Sequence, residues 1–255
     1  LAAILVAITC GLIGPFVIMR RMAYAVHGTS ELAFTGAAAG LVLGGNAFVG
    51  ALIGALVVAG LIGTLGARER ERDSSIGVIL AFGLGLGVLL LSFYRGFATQ
   101  ATNILFGNIF GVSSEQLILL VILGALACLT MLVIYRPLLF ASLDPEVARA
   151  KGVPLKALGI IFLVVLAITV TEAAQIVGTL LVLSLAITPA ATAARLTVKP
   201  ISLTVLSVIF ALIASVGGLL LSLMFDNIKP TVFITGISFA LFIVAYLATL
   251  KKSHN

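Results

Sequence analysis

Charged residues are scarce in this sequence, and that scarcity excludes a water-soluble fold. Only 9% of its 255 residues are Asp, Glu, Lys or Arg, whereas 62% are hydrophobic. A soluble domain usually carries about 25% charged residues, which help to cover its surface with polar groups. The composition therefore predicts an integral membrane protein.

Histidine, cysteine and nucleotide-binding motifs are also scarce, which excludes several kinds of catalyst. The sequence contains two His and two Cys, and His254 lies in the C-terminal tail. A metal-ligand set for an intramembrane enzyme is therefore lacking. No GxxxxGKS or GxxxxGKT motif occurs, so the chain is expected neither to hydrolyse ATP by itself nor to hold a permanent cofactor. Cys10 and Cys128 lie in apolar stretches and are interpreted as packing residues.

Long apolar runs fill most of the chain and predict an all-α bundle of transmembrane helices. A membrane-crossing helix needs roughly 20 apolar residues. The runs are continuously apolar rather than alternating, which favours helices over barrel strands. The nine candidate spans are residues 1–19, 23–43, 46–66, 76–94, 115–135, 157–173, 175–194, 201–225 and 230–250. The 157–194 stretch could instead be less regular, which would give eight spans, and residues 97–112 are interpreted as an interfacial or re-entrant helix.

The basic residues indicate the orientation of the bundle, because Lys and Arg in short loops mark the cytoplasmic side. With the N-terminus outside and the C-terminus inside, 13 of the 15 basic residues fall on the cytoplasmic side, and only Arg95 and Lys229 fall outside. The opposite orientation reverses this distribution and is rejected. The charged segment from Arg68 to Asp73 is interpreted as a solvated inner loop.

Two helix starts are recognisable between the spans. Ser113 and Gln116 have the spacing of a capping box, in which each side chain caps the backbone N–H of the other residue. Asp144 before Pro145 predicts an N-cap and a first helical residue, and Gly152 predicts the end of that helix. This helix is too short and too polar to cross a membrane, and the charge rule places it in the cytoplasm.

Ionisable residues inside a membrane span are costly and are functional candidates by default. His27 and Glu31 are four residues apart, so a helix places them on one face, one turn apart. Thr35 continues this stripe by another turn. An imidazole and a carboxylate can bind a divalent transition metal. From the residues alone, a proton relay and a self-neutralising structural pair remain open alternatives.

Glu172 is a further ionisable residue within the spans, near the outer side in the predicted topology. It is a candidate for the ion pathway, where it could line an entrance or belong to a gate, and a short outer turn is the alternative. On the second span, Gly36, Gly40 and Gly44 have the small-xxx-small spacing of close helix packing. Gly36 lies about 180° from His27 around a helix. The sequence therefore predicts one closely packed face and one polar face.

Several motifs, taken in order along the chain, resemble one family. They are Arg20-Arg21-Met22, the polar helix over 27–36, Phe106-Gly107-Asn108-Ile109, Tyr135-Arg136-Pro137-Leu138, the segment over 144–152, and the segment over 187–195. This ordered set spans essentially the whole chain. It resembles the permease subunits of bacterial zinc, manganese and iron ABC importers.

The resemblance implies a type II ABC importer permease fold, with residues 1–255 forming a single transmembrane domain in the bacterial cell membrane. It implies a homodimer around a central pathway, ATP-binding subunits on the cytoplasmic face, and an extracytoplasmic metal-binding protein outside. Lipid surrounds such a protein, and no nucleic-acid partner is implied. The resemblance matches the short helix to the family's coupling helix, which contacts the ATPase through Asp144, Pro145, Glu146, Arg149, Lys151 and Gly152.

One stretch departs from the family pattern. Family members typically read Gly-Asp-x-x-Ser-His-Ala at the start of the second helix, whereas this chain reads Val26-His27-Gly28-Thr29-Ser30-Glu31-Leu32. The carboxylate and the imidazole have exchanged places while their spacing is kept. The polar face and its net chemistry therefore survive.

The sequence thus predicts a non-enzymatic permease subunit that imports a divalent transition metal, zinc or manganese. The metal is expected to pass His27 and Glu31, while a partner subunit hydrolyses ATP. Two alternatives remain. One is a proton- or sodium-coupled carrier that uses Glu31 and Glu172 as a relay, and the other is a siderophore-type ABC permease.

Overall fold

The protein is helical throughout the part that its computed structural model describes, which comprises residues 1–65, 69–94, 103–225 and 228–253. No strand occurs within these ranges. The helices are α1 (Ala2–Met19), α2 (Ala23–Val42), α3 (Ala47–Leu65), α4 (Glu69–Ser92), α5 (Ser114–Leu143), α6 (Pro145–Ala150), α7 (Leu155–Val177), α8 (Val182–Ala186), α9 (Thr188–Leu196), α10 (Pro200–Ser222) and α11 (Pro230–Ser253), with a 3-10 turn at Ile109–Gly111.

The helix lengths confirm the predicted all-α membrane bundle. In the described ranges, eight helices have at least 18 residues, namely α1 to α5, α7, α10 and α11. Five of these, α1, α5, α7, α10 and α11, are also apolar enough by composition to cross a membrane. Among the five, α7 is the most buried and α11 the least. The bundle is therefore organised around α7.

Helices α4 and α5 extend furthest beyond their predicted spans. Helix α5 continues through Pro137 to Leu143, because Leu138 is fully buried and its packing compensates for the backbone hydrogen bond that the proline cannot donate. Helix α4 begins at Glu69, so residues 69–73 are helical rather than loop. Glu and Arg are good helix formers, which explains this second difference. Arg68 and Arg95 lie outside the described residues.

The predicted span over 175–194 is a broken segment rather than a regular helix. Helix α7 ends at Gly178, whose φ of 88° belongs to the left-handed region that favours glycine. The backbone that follows pairs with the segment predicted as re-entrant: Thr179 N–H donates to Ile104 O at 3.1 Å, and Asn108 N–H donates to Gln175 O at 3.2 Å. Irregular backbone in a membrane requires such internal partners. Helices α8 and α9 then lead the chain back to the start of α10.

The basic loops of the described chain lie at one end of the bundle, here called the basic end and defined by the α1–α2 turn, α6 and the α9–α10 turn. Three long-range contacts join the helices near these loops: the Arg20 guanidinium lies over the Phe162 ring of α7 at 5.3 Å, the Tyr135 hydroxyl of α5 lies 3.0 Å from the Thr204 hydroxyl of α10, and the Arg195 guanidinium of α9 lies over the Tyr246 ring of α11 at 5.1 Å. This clustering agrees with the predicted topology, in which the basic end faces the cytoplasm.

Glycines determine how closely α2 and α3 approach. A Cβ added at Gly36 or Gly50 would overlap the carbonyl oxygen of the other residue, and one at Gly40 would meet Asn46 O at 2.8 Å. The predicted close-packed face of α2 is therefore present. Gly44 is not part of it, because Gly44 follows the helix with a φ of 72° and has open space around it.

We expect Gly50→Ala to destabilise the protein by about 1–3 kcal/mol, because the added methyl group has no room against α2. The matched control is Gly60→Ala on the same helix, where a Cβ meets nothing within 4 Å. The thermal unfolding midpoint of the detergent-purified protein measures both changes. Equal midpoints for the two variants would contradict this account of the α2–α3 contact.

Candidate functional site

The predicted pair of ionisable residues on α2 is formed. His27 Nε2 lies 3.1 Å from Glu31 Oε1, as the spacing of one helical turn requires. The His27 side chain is 36% exposed and that of Glu31 is 14% exposed. His27 Nδ1 and Glu31 Oε2 have no hydrogen-bond partner among the described residues. Both atoms are buried, and each is a potential metal ligand that no described residue occupies.

Thr35, the third member of the predicted stripe, serves a different purpose. Its hydroxyl donates to Gly83 O of α4 at 2.5 Å, and it also lies 3.1 Å from Glu31 O. This hydrogen bond therefore joins α2 to α4. The Thr35 hydroxyl does not donate to the His27–Glu31 pair.

One copy of the chain offers few metal ligands. No group of three or more His, Cys, Asp and Glu side chains comes together in the described part of the chain. A structural metal site usually requires four ligands, whereas a transported ion needs only transient contacts. His27 and Glu31 could therefore supply two contacts, and water or a second copy of the chain would have to supply the others.

Glu172 lies apart from this pair, in the contact between α1, α5 and α7. It is helical and fully buried, so the outer-turn alternative does not hold. A Cβ at Gly124 of α5 would lie 3.3 Å from Glu172 Oε1, so this glycine leaves room for the carboxyl group. Thr9 of α1 is also close to the carboxyl group, but its hydroxyl donates to Val6 O. Neither carboxyl oxygen has a hydrogen-bond partner within the described residues.

We expect Glu172→Gln to fold and to transport as the unaltered protein does. A neutral amide has the same size as the carboxyl group and places no charge in this buried site. Glu172→Arg should instead reduce the yield of folded protein, because a larger and charged group has no space there. Size-exclusion chromatography and an uptake assay measure these effects. Loss of uptake in a well-folded Glu172→Gln variant would show that the carboxylate belongs to the ion pathway.

A cavity that the sequence did not predict opens between α2, α3, the 103–116 segment and the end of α7. It has a volume of about 250 Å³, and its lining includes Asn103, Asn108, Gln116, Gln175 and Thr179. The opposite wall is formed by the alanines Ala33, Ala37, Ala47 and Ala51. The polar groups come from two segments that are distant in the sequence, so their convergence has no local sequence signal beyond the presence of amides in apolar surroundings.

The short helix α6 has the predicted caps and is exposed at the basic end. Asp144 Oδ1 accepts from Val147 N–H at 3.0 Å, Pro145 occupies the first helical position, and Gly152 follows with a φ of 80°. Ala148 is fully buried and anchors the helix. The surrounding residues are exposed, namely Asp144, Pro145, Glu146, Arg149, Lys151 and Gly152. The capping box at Ser113 and Gln116 is likewise present.

These features together define a multi-pass permease of the cell membrane: a bundle of helices of which five can cross a membrane, an ionisable pair on α2, and an exposed charged helix at one end. The sequence model of the ABC 3 transport family matches residues 1–249. The chain belongs to this family, and the predicted resemblance to metal ABC importer permeases is confirmed.

Similar proteins cover almost the whole chain. The manganese transport system membrane protein MntC of Halalkalibacterium halodurans is 32% identical over 252 residues, which are 98% of this chain and 86% of the relative. The high-affinity zinc uptake system membrane protein ZnuB of Haemophilus influenzae is 29% identical, covering 89% of this chain and 87% of the relative. The solved structure of PsaBC from Streptococcus pneumoniae in complex with Fab has a TM-score of 0.85 at 31% identity, covering 96% of this chain and 88% of that one.

Proposed function

We propose that this chain is the membrane-spanning subunit of an ATP-driven importer for a divalent transition metal, manganese or zinc. Two copies form the pathway, ATP-binding subunits attach at the basic end, and an extracytoplasmic binding protein delivers the ion at the opposite end. The observation that carries this proposal is the His27–Glu31 pair on α2, in which each residue keeps one buried side-chain atom without a hydrogen-bond partner among the described residues.

The chemistry of the pair supports a transition metal as cargo. A neutral imidazole and a carboxylate suit manganese, iron and zinc. The relatives named for manganese transport and zinc uptake narrow the proposed cargo to these two ions. The exchange of carboxylate and imidazole relative to the family pattern keeps the spacing of four residues, so both ligand types remain on one helix face.

The exposure of the pair supports a dimeric pathway. His27 is about one-third exposed in a single copy, yet an ionisable group at membrane depth is very costly against lipid. A second copy packed around a two-fold axis would cover this face and contribute a second His27 and Glu31. The ion would then meet two imidazoles and two carboxylates, which supply the contacts that one copy lacks.

The exposed helix α6 supports coupling to a separate ATPase. Its termini are fixed by Asp144 and Gly152, and its buried Ala148 attaches it to the bundle between α5 and α7. Movement of a partner bound to α6 would therefore be transmitted to two long helices at once. The charged residues Glu146 and Arg149 are available for that partner.

The proposed function is tested in cells that lack this chain, by measuring cellular manganese and zinc and by restoring growth with each metal. We expect a deficit in one of the two metals, which the unaltered gene corrects. Co-purification of the tagged chain should also recover a P-loop ATPase. Normal contents of both metals would contradict the proposal, and uptake that requires a proton or sodium gradient without an ATPase would favour a secondary carrier.

A further inference from the structure

Tyr24 lies on the same face of α2 as the ionisable pair. It precedes Glu31 by seven residues, so the two side chains point within about 20° of each other around the helix axis. It precedes His27 by three residues and therefore lies about 4.5 Å closer to the basic end. Tyr24 is 60% exposed, while Met22, Ala25 and Val26 around it are buried. The three residues form one stripe, Tyr24–His27–Glu31, whose exposure falls from 60% at Tyr24 to 36% at the His27 side chain and 14% at the Glu31 side chain.

The ionisable members of the stripe indicate what covers Tyr24. Tyrosines near helix ends often face the lipid headgroups, and a lone exposed tyrosine would be interpreted in that way. Here the same face carries His27 and Glu31, which lipid cannot cover at acceptable cost. A surface that covers this pair must also extend over Tyr24, because one helical turn separates it from His27. Tyr24 therefore faces the second copy and the space between the copies rather than lipid.

We propose that Tyr24 of the two copies closes the ion pathway on its basic side, one turn beyond the His27–Glu31 pair. This inference rests on the proposed function. In a two-fold assembly, residues near the axis meet their own symmetry mates. The phenol ring is the bulky side chain of the stripe, and its hydroxyl has no partner among the described residues, so the ring rather than a hydrogen bond provides the closure.

The turn before Tyr24 fixes where the ring lies. Arg21 adopts a φ of 52°, which is rare for a residue with a side chain. The turn is held by Met22 N–H donating to Val17 O at 2.8 Å and by Arg21 N–H donating to Ile18 O at 3.0 Å. Tyr24 lies in the first helical turn of α2, directly after this turn. The ring is therefore expected to move when α1 moves relative to α2.

The test uses vesicles that contain the permease with its ATP-binding subunit and a dye that reports Mn²⁺ or Zn²⁺, and the extracytoplasmic binding protein is added outside. Without ATP, Tyr24→Ala should admit metal severalfold faster than the unaltered protein, whereas Tyr24→Phe should remain closed because it keeps the ring. With ATP, Tyr24→Trp should transport severalfold more slowly, since the larger ring narrows the release path. The matched control is Phe140→Ala, which removes a half-buried aromatic ring at the same end of the bundle.

The outcomes separate the two proposals. ATP-driven uptake by the unaltered protein and its loss in Glu31→Ala are measured in the same vesicles and test the proposed function alone. If both hold, a Tyr24→Ala variant that stays closed, together with a Tyr24→Trp variant of unchanged rate, overturns the role of Tyr24. Leakage through Tyr24→Phe overturns closure by the ring, and leakage through Phe140→Ala overturns the specificity of the site.

Discussion

Replacing Glu31 with Ala is expected to abolish metal uptake while leaving the protein folded. Glu31 contributes the carboxylate of the pair, and its free Oε2 is the proposed contact for the ion. Loss of residues that only support metal ligands typically costs 10- to 100-fold in affinity, so loss of a direct ligand should exceed about 100-fold. The side chain is largely buried, but an alanine in a helix is well tolerated. His27→Ala should have a similar effect.

Metal uptake by cells or vesicles measures these variants, and size-exclusion chromatography shows whether each assembles. The matched control is Glu115→Ala, which removes an exposed carboxylate at the start of α5. It should leave uptake unchanged. Normal uptake by correctly assembled Glu31→Ala and His27→Ala would remove these residues from the pathway.

Reversing the charges of α6, the proposed coupling helix, should give the second large effect. Glu146→Arg combined with Arg149→Glu should separate ATP hydrolysis from uptake, because both residues are exposed on α6 where the ATPase is proposed to bind. The permease itself should keep its stability, since exposed charges contribute little to folding. Uptake should be lost even though the binding site for the ion is intact.

The measurement compares ATP hydrolysis with and without the binding protein, alongside uptake, in the reconstituted complex. Glu115→Arg, the control, reverses one charge at another exposed helix start, away from α6. Stimulation of the ATPase that persists in the α6 variant would contradict docking at this helix.

Local sequence signals predicted much of the fold. Helix α2 was expected over 23–43 and is observed at Ala23–Val42, and the caps at Ser113 and Asp144 are present. These features depend on apolar length and on side chains that bond to neighbouring backbone. The end of α5 was not predicted: the span was expected to end at residue 135, whereas the helix continues past Pro137 to Leu143, with Leu138 buried.

The candidate site was only partly predictable, because contacts between helices have no local signal in the sequence. The contact between His27 and Glu31 follows from helix periodicity, and the structure forms it. The hydrogen bond from Thr35 to Gly83 and the seclusion of Glu172 depend on which helices pack together. The amide-lined cavity likewise requires the pairing of residues 104–108 with 175–180, which no single segment encodes.

The central claim is that a divalent metal passes the His27–Glu31 pair, and exchanging the two residues tests it most directly. ATP-dependent entry of Mn²⁺ and Zn²⁺ is measured in vesicles with the unaltered protein, with His27→Ala, and with the double variant His27→Glu and Glu31→His. The account predicts entry in the unaltered protein and in the double variant, which keeps both ligand types on one face, and no entry in His27→Ala. Unchanged entry in His27→Ala, or a folded double variant without transport, would contradict it.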